Sequence, residues 1–146
     1  MKPQALAKLD LLAAAKEAAL LDALSRHNAT LRRYESQCEV LSAYQQRLGS
    51  MWRDGAVVSA GDAKRAGQFS DQAEGAAYQL AQAIRVEQAK FDECASALAE
   101  LRTRRRTLQE RLSNALRLEQ TIAQERAAQS LPHPPARPRP KTQTPA

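Results

Sequence analysis

Residues Leu80 to Ile122 read LAQAIRVEQAKFDECASALAELRTRRRTLQERLSNALRLEQTI. Steps of four and three along this stretch meet Leu80, Ile84, Glu87, Phe91, Cys94, Leu98, Leu101, Arg105, Leu108, Leu112, Ala115, Glu119 and Ile122, and ten of these thirteen are apolar or Cys. The residues between them are mostly Gln, Arg, Glu, Lys and Ala. A hydrophobic period of about 3.5 residues, held over about six heptads, describes a helix that lies along another helix. No strand pattern interrupts it.

The partner helix lies earlier in the chain. Steps of seven back from Trp52 give Gln45, Cys38, Leu31 and Leu24, and the interleaved set is Leu48, Leu41, Tyr34, His27 and Leu20. No Pro or Gly occurs from Gln4 to Leu48, so nothing obliges this helix to stop. All five glycines (Gly49, Gly55, Gly61, Gly67 and Gly75) fall between the two blocks, together with Ala56-Val57-Val58-Ser59, a run that favours helix poorly. Ser59 followed by Asp62 reads as a helix start, with a Ser cap and an acid near the positive end of the helix dipole.

The expected fold is all-α: a long antiparallel two-helix coiled-coil hairpin over residues 1 to 128. Helix 1 is expected over about 4 to 51, a turn over about 52 to 62, and helix 2 over about 63 to 128. Residues 49 to 78 are expected to be the most mobile part of this body, because Gly67 and Gly75 weaken the return helix by about 1 kcal/mol each relative to Ala. A parallel homodimer, the rival arrangement, needs one helix to run through Gly55, Val57, Val58 and Gly61. Residues 129 to 146 hold five prolines between Pro132 and Pro140, with Arg137, Arg139 and Lys141, and read as a disordered basic tail.

A hairpin closing near Trp52 to Ala63 opposes residues whose numbers sum to about 115 to 118, because both helices rise equally per residue. Tyr34 then lies near Ile84, His27 near Phe91 and Leu20 near Leu98. Arg105 falls opposite Asp10 and is placed to pair with it. Cys38 and Cys94 are separated by roughly 20 Å along the axis, so both are expected as buried free thiols rather than a disulfide. Leu6 reaches only to about Glu110, which leaves Leu112, Ala115, Leu116, Leu118 and Ile122 without a partner inside the hairpin.

The chain of 146 residues carries a net charge of +6, and half of that excess lies in residues 129 to 146. The helical body is nearly balanced, as a solvated coiled coil is. Arg102, Arg104, Arg105, Arg106, Arg111 and Arg117 form a basic run beside the unpartnered apolar residues, with no aromatic residue interleaved for base stacking. A protein groove or channel with acidic lining is the expected partner, rather than nucleic acid.

No catalytic constellation is present: His27 lies in the seam, His133 in the tail, and neither has a nucleophile and acid beside it. Gly61 to Gly67 lacks the Gly-Lys-Ser/Thr ending of a phosphate loop. No metal spacing accompanies either Cys, so no cofactor is expected and the protein is not expected to be an enzyme. No run of eighteen apolar residues exists to insert in a membrane. Asp10, Lys16 and Glu17 break the Ala- and Leu-rich start, so no cleaved leader is expected and the cytosol is the expected compartment.

With both helices in place, the chain resembles the central stalk family of type III secretion systems, found in flagellar and injectisome export machines. The resemblance covers roughly residues 5 to 128. It rests on the segment Leu41-Ser42-Ala43-Tyr44-Gln45-Gln46-Arg47-Leu48, the glycine-bearing turn around Gly55, Phe69 at the start of the return helix, and the Gln- and Arg-rich run from Ile84 through Gln88 to Leu112. It implies a non-enzymatic coupling role, as a monomer, at the cytoplasmic face of the inner membrane. The paired terminal ends, Met1 to Lys16 and Leu101 to Arg126, are implied to enter the pore of a hexameric secretion ATPase, with Arg102, Arg104, Arg106, Arg111, Leu112, Leu116 and Ile122 as contacts. The turn end, Leu48 to Phe69, is implied to face a membrane export gate through Trp52, Val57, Val58 and Phe69. Export chaperones are further implied partners. The alternatives are a coiled-coil adaptor of another bacterial machine and, after it, a basic nucleic-acid-associated protein.

Overall fold

The computed structural model describes residues 2 to 53 and 59 to 131. It consists of two helices, α1 (Pro3–Arg53) and α2 (Ala60–Ser130), packed against each other as an antiparallel hairpin. At 1.5 Å per residue, α1 spans roughly 75 Å and α2 roughly 105 Å. The expected turn at Gly55 and the tail from Pro132 onward lie outside the described residues.

Each boundary has a local cause. Pro3 occupies the first helical position, where its missing N–H costs nothing and its φ is already helical. The carbonyl of Lys2 accepts from the N–H groups of Ala5 and Leu6 at 3.0 and 3.2 Å. Arg53 closes α1 by donating from Nε to the carbonyl of Gly49 at 3.3 Å, a cation on the negative end of the dipole. Ser59 caps α2 as its sequence promised: its backbone is extended and its Oγ accepts from the N–H of Asp62 at 3.2 Å. Leu131 returns to extended backbone, as a residue before proline must.

Both helices run further into the glycine-bearing segment than expected. The α1 helix runs through Gly49 to Arg53, and α2 begins at Ala60 rather than near Ala63. Capping at Ser59 and packing between the helices outweigh the modest intrinsic penalty of Gly49, Gly61, Gly67 and Gly75.

The core is a single seam. Leu6, Ala13 and Leu31 from α1 and Ala73, Cys94 and Leu98 from α2 are its buried residues. They are flanked by half-buried positions at the expected three-four spacing, including Leu20, Leu24, Tyr34, Leu41, Leu80 and Ile84. Two helices give each side chain cover from one direction, so none of the described residues is fully enclosed. Cys94 is buried and its Sγ lies 3.4 Å from the carbonyl of Leu20; Cys38, expected to be buried, is only half-buried. Both thiols are free.

Candidate functional site

The terminal half is fastened by an ion cluster that heptad geometry assembles. Asp10 and Glu17, seven residues apart, occupy successive seam positions of α1, and Arg105 enters the seam from α2. Arg105 donates from Nε to Oδ1 of Asp10 at 2.9 Å and from Nη1 to Oε2 of Glu17 at 2.6 Å. Arg102 donates from Nε to the other oxygen, Oε1, of Glu17 at 3.0 Å. Hydrogen bonds from Arg105, then from Arg102, hold the Glu17 carboxyl below its ordinary value of 4.5, and the same contacts keep Arg105 charged more firmly than usual. The predicted Asp10–Arg105 pair is present, and Glu17 joins it.

One turn group further along, His27 hydrogen-bonds through Nδ1 to Oε1 of Glu87, and both side chains are partly buried. The sequence placed His27 near Phe91, one turn away on the same seam face. The ring instead takes the nearest acceptor, because two polar groups facing each other in a seam are each costly to leave unpaired.

The structure divides the sequence-predicted ATPase contacts. Arg102 is committed to Glu17 and is therefore part of the clasp rather than a free contact. Arg104, Arg106 and Arg111 are exposed and have no ion-pair partner among the described residues. Arg104 and Arg111 border an open groove with Thr103, Thr107 and Leu108, while Arg106 lies on the other face beside Arg102 and Gln109.

Leu112 and Ala115 are half-buried, and Lys2 and Pro3 share a groove with Ala115 and Leu118. The start of α1 is thus level with Ala115, beyond the Glu110 limit read from the heptads. Leu112 belongs to the hairpin seam, and the overhang begins past Glu119. From Leu116 to Ser130 every residue is exposed, including Leu118 (62%) and Ile122 (40%).

At the opposite end, Trp52 is half-exposed and Val57 and Val58 lie outside the described residues. The Phe69 ring meets Tyr44 with centroids 6.0 Å apart and planes tilted by 55°. Beside this pair runs an open inter-helix groove of about 550 Å³, lined by Val40, Leu41, Ala76, Leu80 and Ala83 among others. Val40 and Tyr44, four residues apart on one face, were missed as site residues; their exposure at heptad positions flanking Leu41 was the available signal. The heptad face that carries this groove is of mixed sign, with Arg33 and Arg47 on α1 and Arg65 and Lys90 beside Asp62, Glu93 and Glu100 on α2, all exposed and none ion-paired among the described residues.

Among the described residues no three His, Cys, Asp or Glu side chains group as a metal site, and no helix is long and apolar enough to cross a membrane. No family model, curated protein or solved structure matches the chain. What the fold and surfaces define is a coiled-coil hairpin with one overhanging helix.

Proposed function

We propose that this chain is the central stalk of a type III export apparatus, coupling a hexameric secretion ATPase to an export gate without chemistry of its own. The observation that carries this reading is the unequal length of the helices. Past Glu119, the last residue beside the start of α1, α2 continues alone, and Leu116, Leu118 and Ile122 at this end are exposed, with Arg104 and Arg111 just behind them. An apolar, basic helical end suits a narrow protein channel with acidic lining, because apolar contact supplies affinity and charge supplies orientation. The Tyr44–Phe69 end, with its open apolar groove, is the complementary docking surface and would meet the gate or an amphipathic chaperone helix.

The test is co-purification with a hexameric secretion ATPase from the same organism, followed by its hydrolysis rate with and without the hairpin. Binding and stimulation are expected. Charge reversal at Arg104, Arg106 and Arg111 together should weaken both while helicity stays unchanged, since none of the three is used inside the fold. Absence of binding by the unaltered chain would sink the stalk reading and leave the adaptor alternative. Binding that falls log-linearly and steeply with salt, transferred to nucleic acid, would instead favour phosphate contacts.

A further inference from the structure

The two halves of the seam differ in how firmly they define their own pairing. From Ala63 to Ala77 the seam positions of α2 are Ala63, Ala66, Ser70, Ala73 and Ala77, each offering at most one small group to α1. Five directional cross-helix contacts exist among the described residues, and all five join residues 10 to 27 of α1 to residues 87 to 105 of α2. On the turn side, the contact between the half-exposed rings of Tyr44 and Phe69 stands in their place.

The glycines of this segment are a second observation. A Cβ added at Gly61, Gly67 or Gly75 would meet nothing within 4 Å, and none of the three has a left-handed backbone. Neither space nor conformation therefore requires glycine there, yet each one weakens the helix about fivefold relative to Ala. The folded hairpin gives no reason for three such residues in one segment whose packing is already thin. A reason appears if the segment must open.

We infer that Ala60 to Ala77 is a releasable arm, which detaches from α1 as a unit pivoting near Gly75 and latched by Phe69 on Tyr44, while the clasp of Asp10, Glu17, Arg102 and Arg105 keeps the terminal half closed. Opening uncovers Cys38, Leu41 and Leu48 of α1 and withdraws Ala76, the arm's one residue in the groove beside Leu80. A partner for the uncovered face of α1 therefore favours the open arm. The device stands on packing and glycine placement alone, independently of the stalk reading.

Hydrogen exchange on the full chain, read by mass spectrometry on short peptides, tests it. Amides from residue 62 to 77 are expected to share one protection value, well below that of residues 87 to 105. Replacing Gly61, Gly67 and Gly75 together by Ala should slow exchange in the arm on the order of a hundredfold and leave residues 87 to 105 unchanged. Phe69→Ala should speed the arm by up to about tenfold, again without touching the clasped half. Protection that declines smoothly toward Ala60 would mean end fraying and overturn the arm. So would an arm unaffected by the triple Ala variant, or one whose exchange moves together with residues 87 to 105.

Discussion

The clasped half of the hairpin, residues 10 to 27 against 87 to 105, and the turn half, residues 31 to 53 against 60 to 80, share one heptad pattern but not one kind of interface. The first places Phe91, Leu98 and Leu101 in the seam and threads two acids, two arginines and a His–Glu pair through it. The second relies on small residues and one aromatic contact. Polar groups in a seam reduce the number of ways two helices can align, because a shift by one heptad would set Leu98 against Asp10 or Glu17 and strand a charge. Small apolar residues carry no such penalty, so a shift there exchanges one Ala for another. The lesson is that periodicity sets the architecture, while the exceptions to periodicity set the alignment.

The contrast can be broken by substitution, most strongly in the core. Leu98→Ala, at a position 6% exposed, should lower stability by about 2 to 4 kcal/mol and unfold the whole hairpin at a lower Tm in calorimetry. The half-buried Leu41→Ala should cost about half of that and loosen only the turn half. If both variants melt alike, the two halves are one cooperative unit.

Arg105→Ala comes next. It leaves Asp10 and Glu17, neighbours on one face of α1, without their shared cation in the seam, so Tm should fall by more than for any exposed charge removed. Arg105→Lys should recover only part of the loss, since one ammonium cannot reproduce the forked contact to two carboxylates.

Acid sharpens the same comparison. Because Glu17 is held below 4.5 in the fold and lies near that value in the unfolded chain, the unfolded chain takes up the proton first. Its stabilising contribution is therefore complete above pH 4.5 and is lost as pH falls below that value. Glu17→Gln should remove this component of the acid dependence, measured as Tm against pH, even though its Tm at neutral pH is lower. The smallest effect is expected for Asp22→Ala. Its pair with Arg26 spans one helical turn in full exposure, and its loss should change stability by at most about 0.5 kcal/mol.

Much of this was legible in the sequence. The seam of α2 was readable from Leu80 to Ala115, the cap at Ser59 from a single spacing, and the Asp10–Arg105 pair from helix rise alone. Glu17 was missed although one further step of seven from Leu24 reaches it, because the N-terminal heptads are looser in apolar content and hid the continuing period. His27 and Glu87 were each visible as a polar intruder in its own seam. Their pairing required a register finer than one turn, which periodicity does not supply. The helices end two or three residues from the expected bounds, at Arg53 and Ala60, because glycine propensity is worth about 1 kcal/mol per residue, less than cap and packing together. Of the residues read as unpartnered, Leu116 and Ile122 are exposed as expected, whereas Leu112 is half-buried; Arg102 pairs with Glu17 and stays 54% exposed.

The step past Glu119, where α1 begins and the paired rod becomes a single helix, also has a mechanical side. Two helices interlocked by side chains resist bending and twisting better than one, and the clasp at Arg105 lies behind that step. A load applied to the overhang is therefore taken up first by the compliant strand past Glu119 and only then passed to the stiffer pair. The molecule would act less as a uniform shaft than as a rigid rod with a torsion spring at one end.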